Sequence, residues 1–179
     1  MKLPAVLFMT ALAVTATSGV SAQPVTTDAL KVIEGVEDCA SSMSSVTLDE
    51  NLLVDRGWFK VEIQMTNNPV TELPTVYGKS ENHPLVRIVE NQSGQKGCMV
   101  EGWFDPEADR TDLFTMLTEK FGEPTSVEEL NVTDLTSGAS IENGTTAYRS
   151  GDAIVIPLEG SMLGQSDFRI IVTLPGVAE

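Results

Sequence analysis

Four carboxylates near the middle of the chain form its densest group of potential metal ligands. They are Asp105, Glu107, Asp109 and Asp112. Oxygen ligands at nearly alternate positions suit calcium. The spacing departs from the EF-hand loop, because Arg110 replaces the glycine of the turn and Met116 replaces the bidentate glutamate. Two of the carboxylates also fit the start of a helix. We interpret the cluster as helix capping, with a calcium site as the alternative.

Hydrolytic chemistry has few candidate groups. His83 is the single histidine, so a metal site built from several histidines is excluded. It precedes Pro84 in a polar stretch, where we expect an exposed loop residue without a role, and no G-x-S-x-G nucleophile motif occurs to accompany it. Ser93 and Lys96 have a serine–lysine spacing, but a glycine lies between them in an expected loop. The sequence therefore identifies no catalytic residue and no cofactor.

The two cysteines, Cys39 and Cys98, have no third thiol and no nearby histidine, so a tetrahedral metal site is not favoured. A catalytic thiol would need a C-x-x-C motif or a positioned base, and neither is visible. Cys39 falls on the apolar stripe of an expected helix, and Cys98 opens an expected strand. In an oxidising compartment an even cysteine count predicts pairing. We therefore expect a Cys39–Cys98 disulfide.

The N-terminal residues have the composition of a secretory signal. Lys2 supplies the positive charge, an apolar run follows, and small residues precede a cleavage site after Ala22. No cysteine follows that site, so a lipid anchor there is not expected. We therefore divide the chain into a signal peptide, 1–22, and a single exported globular domain, 23–179, of the periplasm or the medium.

The exported domain is strongly acidic. The whole chain has 11 basic and 26 acidic residues, a formal net charge of −15, and removal of Lys2 takes this charge to −16. A surface of this sign repels nucleic acid and anionic lipid, so neither is an expected partner. Another envelope or secreted protein fits this charge better.

Apolar periodicity locates the elements that must position these groups. Residues 27–44 and 109–121 have helical spacing, with Thr27 as the cap of the first helix. Alternating or short apolar runs predict strands at 57–65, 85–90, 98–104, 145–149, 153–159 and 168–174. Residues 66–84 contain three prolines and are expected to form a loop. The order α-β-β-β-α-β-β-β predicts an α+β fold, with an antiparallel sheet of about five or six strands packed against two helices.

Alternation along the first strand suggests a binding patch. Phe59 and Val61 are expected to face the core, which leaves Lys60 and Glu62 on a solvent-facing side together with Trp58. An exposed tryptophan among charged residues is typical of a ligand or partner surface. We therefore expect Trp58, Lys60 and Glu62 to form such a patch, unless a helix covers that side of the strand.

These observations favour a small exported protein that binds or assists something without catalysis of its own. One alternative is a hydrolase of the cell envelope that uses carboxylates or an isolated serine. Another is a structural or assembly component of the envelope. A deep site with convergent titratable groups would favour the enzyme, and a shallow apolar or aromatic patch would favour binding.

Overall fold

The computed structural model describes residues 27–61, 74–80, 82–90, 94–103, 110–130, 132, 144–159 and 167–175. Its α-helices are α1 (Ala29–Ser41), α2 (Glu50–Asp55) and α3 (Arg110–Phe121), and a short 3-10 helix spans Val127–Leu130. Its strands are β1 (Phe59–Val61), β2 (Val76–Gly78), β3 (Leu85–Glu90), β4 (Lys96–Trp103), β5 (Thr125–Ser126), β6 (Thr146–Ser150), β7 (Ala153–Glu159) and β8 (Asp167–Thr173). The expected signal peptide lies outside these ranges.

All these strands belong to one antiparallel sheet, in the order β1-β2-β3-β4-β8-β7-β6-β5. The first half of the chain contributes α1, α2 and a four-stranded meander, and the second half contributes α3 and another. The last strands of the two meanders, β4 and β8, pair at the centre of the sheet. Strands β3 and β4 pair as an antiparallel hairpin, with Val86 opposite Val100. Sheet and helices together make an α+β fold.

The expected sheet of about five or six strands on two helices, in the order α-β-β-β-α-β-β-β, is wrong. The sheet has eight strands, and α2 follows α1 directly. The missed elements are short. β2 has three residues inside the stretch expected to be a loop, and β5 has only two. Too few residues are present in such elements for a period of 2 or 3.6 to emerge.

Helix α1 is shorter than the expected span of 27–44. It begins after Asp28, whose carboxylate accepts a hydrogen bond of 2.8 Å from the backbone N–H two residues on. Thr27 is therefore not the cap. At the other end, the Ser42 hydroxyl donates to the Asp38 carbonyl oxygen at 2.7 Å, and thus bonds the last turn locally. The expected buried stripe, including Val32, Val36 and Cys39, is confirmed.

The two faces of the sheet have different cores. On one face, α1 and α3 cover inward side chains of the central strands, among them Val100, Ile170 and Val155. On the other face a smaller apolar cluster includes residues of the 3-10 helix. It consists of Met99, Val127, Leu130, Ala147, Ile154, Ile156 and Ile171. The α-helices therefore lie on one side of the sheet, and we call the opposite side the distal face.

The expected disulfide is confirmed. Cys39 of α1 bonds to Cys98 of β4, and both residues are fully buried. The bridge joins the first helix to a strand of the central pair, and it is consistent with an oxidising compartment. Within the described ranges, the helices are all too short or too polar to span a bilayer.

The disulfide closes a loop with a sequence separation of 59 residues. A crosslink over such a distance restricts the unfolded chain and is worth about 4 kcal/mol in the chain-entropy estimate. We expect the double variant Cys39→Ala/Cys98→Ala to lose roughly this free energy of unfolding in urea titrations. A loss below about 1 kcal/mol would contradict the view that the bridge is a major stabilising constraint.

Candidate functional site

The patch expected at Trp58, Lys60 and Glu62 does not form as an exposed surface. Trp58 is 1% exposed, Lys60 is exposed, and Glu62 lies outside the described residues. The pairing of Lys60 with Tyr77 places this side of β1 towards the helices, so the tryptophan just before the strand packs beneath α1. Phe59, expected in the core, is instead 56% exposed on the distal face. The alternation was correctly recognised, but the inner and outer sides were exchanged.

Of the calcium candidates, only Asp112 can be located. It is exposed in the first turn of α3, which fits the capping interpretation. Asp105, Glu107 and Asp109 lie outside the described residues. In the ranges that the structure does cover, no three histidine, cysteine, aspartate or glutamate side chains gather to hold a metal ion.

Asp38 is the centre of a charged network between α1 and the β1–β2 end of the sheet. Its carboxylate accepts hydrogen bonds from the Trp58 indole N–H at 2.9 Å and from Lys79 Nζ at 3.0 Å. Arg56 Nε lies 3.5 Å from its other oxygen. The half-buried carboxylate of Asp38 thus pairs with the indole N–H of Trp58 and with the cations Lys79 and Arg56. The arrangement stabilises the fold.

A second carboxylate of α1, Glu34, connects this network to the only imidazole. Lys79 Nζ donates to one oxygen of Glu34 at 2.6 Å, and His83 Nε2 lies 3.3 Å from the other. The hydrogen bond and the charge of Lys79 outweigh the partial burial of Glu34 and lower the pKa of its carboxyl. His83 Nδ1 is 2.7 Å from the Ser80 hydroxyl. The expectation that His83 is an exposed loop residue is therefore wrong, since its side chain is only 10% exposed.

A third cluster surrounds Glu50 of α2. Its carboxylate accepts hydrogen bonds from the Tyr77 hydroxyl at 2.8 Å and from Lys96 Nζ at 2.7 Å. Lys96 lowers the pKa of Glu50 and is itself held in its charged form, with a raised pKa. Burial, followed by the hydrogen bond to Glu50, raises the pKa of Tyr77 to about 12. These contacts fasten α2 to the sheet.

The distal face carries a different kind of surface, in which aromatic and apolar side chains surround charged ones. Phe59 and Trp103 are 56% and 40% exposed. Half-buried side chains lie between and beside them on the same face. We call the whole set the aromatic–arginine surface: Phe59, Val61, Leu85, Arg87, Val89, Glu101, Trp103 and Arg169. Strand pairing, not sequence proximity, brings these residues together.

The register gives this surface its order. Leu85 is opposite Glu101, and Glu101 is opposite Arg169 on the other side. Arg87 Nε donates to Glu101 at 3.0 Å, and the Arg87 guanidinium contacts the same oxygen a second time. Glycine at position 78 leaves room for Val61, whose Cγ2 would lie only 3.2 Å from a Cβ atom there, and the Phe59 ring lies beside the same position. Two arginines and one glutamate lie among the apolar residues of this surface, and Asp167 is opposite Trp103 at its edge.

Sequence reasoning missed this surface. Alternation along β1 correctly predicts that Phe59 and Val61 share a face. Only the pairing within the sheet shows that this face points away from the α-helices. Comparison with protein-family models, with curated proteins and with solved structures gave no match.

Asp38 and its neighbour on the helix, Glu37, offer a matched pair of variants. Asp38→Ala would leave the buried Trp58 N–H and Lys79 without a shared acceptor, and we expect a loss of about 2 kcal/mol in the free energy of unfolding. Glu37, one residue away, contacts Lys120 and is 39% exposed. Glu37→Ala should cost less than about 1 kcal/mol. Equal losses in chemical denaturation would contradict the role given to Asp38.

The raised pKa of Tyr77 predicts a loss of stability in alkali. Between its ordinary value of 10.0 and about 12, the unfolded chain releases the phenolic proton while the folded protein keeps it. The contribution of Tyr77 to stability is complete below pH 10 and is lost as the pH rises towards 12. Urea unfolding at pH 9, 10 and 11 should therefore show a steeper decline for the wild type than for Tyr77→Phe. Parallel declines would contradict this assignment.

Proposed function

We propose that this chain is an exported binding or accessory protein and that its partner docks on the aromatic–arginine surface. The single observation that supports the proposal most is the exposure of Phe59 and Trp103 on the distal face, while the other tryptophan, Trp58, is 1% exposed. A large aromatic side chain loses hydrophobic free energy when it stays in water. Its presence on a sheet surface, among half-buried apolar neighbours, is typical of an interaction site.

The composition of the surface suits protein recognition. Aromatic and arginine side chains are enriched at the centres of protein interfaces, where they supply most of the binding free energy. Here Arg87 is already fixed by Glu101, so its guanidinium is oriented before a partner arrives. A side chain held in this way loses less conformational entropy on binding. The surface therefore combines apolar anchors with a preorganised polar group.

The charge balance indicates the chemistry of the partner. Arg87 and Arg169 supply positive charge within the surface, although the chain as a whole has a formal net charge of −15. A protein surface that presents apolar side chains, with a few carboxylates placed to meet the two arginines, would complement this surface. Nucleic acid and anionic lipid would be repelled by the net negative charge of the chain. The proposed occupant is thus an apolar surface, with a few carboxylates, of another envelope or secreted protein.

The proposed location is the periplasm or the extracellular medium, after removal of the signal peptide behind Ala22. The sequence of the first 22 residues supports export. The buried Cys39–Cys98 disulfide supports an oxidising environment. The partner would then be met in the same compartment.

Site-specific photocrosslinking tests the proposal. A benzoylphenylalanine residue is placed at 59 or 103 on the proposed surface, and at 30 or 54 as matched controls. Leu30 and Val54 are also exposed apolar residues, 66% and 53%, but they lie on α1 and α2. The four secreted variants are irradiated in the envelope fraction of the source organism. We expect one dominant crosslinked protein at positions 59 and 103 and none of it at 30 and 54.

Substitution provides the second arm. Phe59→Ser/Trp103→Ser should weaken capture of that crosslinked protein at least about tenfold, whereas Leu30→Ser/Val54→Ser should leave it unchanged. Capture should also weaken with salt, because part of the attraction is between charges. Crosslinks to a second copy of the chain, crosslinks to lipid, or equal yields at all four positions would overturn the proposal. A partner bound only through the helices would place the docking site on another surface and would also contradict the proposal.

A further inference from the structure

We propose that Ser80, His83 and Glu34 form a nucleophilic serine site that reacts with small esters, an activity separate from the proposed partner binding. The Ser80 hydroxyl lies 2.7 Å from His83 Nδ1, and His83 Nε2 lies 3.3 Å from Glu34 Oε2. A nucleophile, a base and a carboxylate that orients the base thus follow one another within hydrogen-bonding range. This order of groups is the one by which a serine is activated for acyl transfer.

The carboxylate decides where the imidazole proton sits. Lys79 keeps Glu34 ionised by lowering the pKa of its carboxyl, and an ionised carboxylate only accepts hydrogen bonds. The hydrogen bond from His83 to Glu34 therefore requires the proton on Nε2. In the neutral imidazole Nδ1 is then the acceptor, and Ser80 must donate its hydroxyl proton to it. The tautomer that a general base needs is selected by the fold.

The turn that carries these groups is held firmly against α1. The His83 N–H donates to the Ser80 carbonyl oxygen at 3.2 Å, and the carbonyl oxygen of Asn82 accepts from the Asp28 N–H at 3.2 Å. Asn82 adopts a left-handed φ of 65° within this turn. Pro84 packs directly on the helix backbone, since a Cβ atom on Gly35 would lie only 3.0 Å from its ring. The base is therefore positioned before any substrate binds.

The surroundings of His83 come from three elements. Glu34 and Asp38 face the region from α1, Lys79 follows β2 and bonds to both carboxylates, and the centroid of the Trp58 ring lies 6.2 Å from that of the imidazole, with the two rings nearly perpendicular. Ser80, by contrast, is exposed. A half-buried base beside an exposed hydroxyl leaves the nucleophile open to solvent-borne substrates. No deep cavity is needed for a small ester.

The reaction balances with the groups that are present. Ser80 Oγ attacks the carbonyl carbon of the ester while its proton moves to His83 Nδ1, and that proton then passes to the departing alcohol as the carbon–alkoxy bond breaks. Water next adds to the acyl-serine and gives a proton to Nδ1. The bond between the acyl carbon and Oγ breaks, the proton returns to Oγ, and a carboxylic acid leaves. The usual triad places serine on Nε2 and carboxylate on Nδ1. Here the two ring nitrogens exchange roles.

Labelling with a fluorophosphonate measures the proposed reactivity without knowledge of the natural ester. The probe forms a phosphorus–Oγ bond and releases fluoride. We expect one adduct per chain, located on Ser80 by peptide mass spectrometry, and no adduct there in Ser80→Ala. His83→Gln should slow the labelling by at least tenfold, since a general base contributes about 100-fold or more. Ser126→Ala is the matched control, because Ser126 bonds to a carboxylate, Glu128, and not to an imidazole.

The pH profile separates a reactive serine from a serine that merely closes the turn. Protonated His83 donates from both nitrogens, so the labelling rate of the wild-type protein should rise as His83 loses its proton. The midpoint should coincide with that of the His83 ring proton signals in NMR spectra. The proposal would be overturned by the absence of a Ser80 adduct, by equal labelling rates in the wild type and His83→Gln, or by a labelling rate that does not follow the His83 titration. None of these results depends on the crosslinking partner.

Discussion

The Cys39–Cys98 bond holds α1 against β4, one of the two strands that pair at the centre of the sheet. The other features of the structure depend on this attachment. Because Cys39 lies on the buried stripe of α1, the bond also fixes which side of the helix faces the sheet. Glu34 and Asp38 lie on the adjacent side of the same helix. Their carboxylates therefore meet Lys79 and Arg56 at the β1–β2 end of the molecule.

This attachment gives the two sides of the sheet different proposed roles. On the helix side, Trp58 is buried and its indole N–H is satisfied by Asp38, so the ring contributes to the core and not to recognition. On the distal face, Phe59 and Trp103 remain in contact with solvent beside the fixed Arg87–Glu101 pair. The proposed reactive serine belongs to the helix side and the proposed docking surface to the distal face. The two activities can therefore be separated by substitution.

Part of this arrangement could be predicted from the sequence. The disulfide followed from an even cysteine count and from the helical spacing around Cys39, both of which are local signals. The long strands β3, β4, β7 and β8 were found because their apolar runs are long enough to show a pattern. Expected boundaries differed from the observed ones by a few residues.

The remainder depends on contacts between residues distant in the chain. Alternation shows that Phe59 and Lys60 point to opposite sides of β1, but not which side a helix covers, so the positions of Phe59 and Trp58 were exchanged. Strand β2 is three residues long and was taken as loop. His83 was expected to be an idle loop residue because Glu34, its partner, is 49 residues away in the chain. No local pattern connects such residues.

The central claim is that the distal face, freed by the attachment of the helices to the other side, is the surface that meets a partner. Oxidative footprinting of the secreted protein, in buffer and in the envelope fraction, tests it most directly. The account predicts that Phe59 and Trp103 become protected in the envelope fraction while Leu30 and Val54 keep their reactivity. Protection of Leu30 and Val54 with Phe59 and Trp103 unchanged would contradict it.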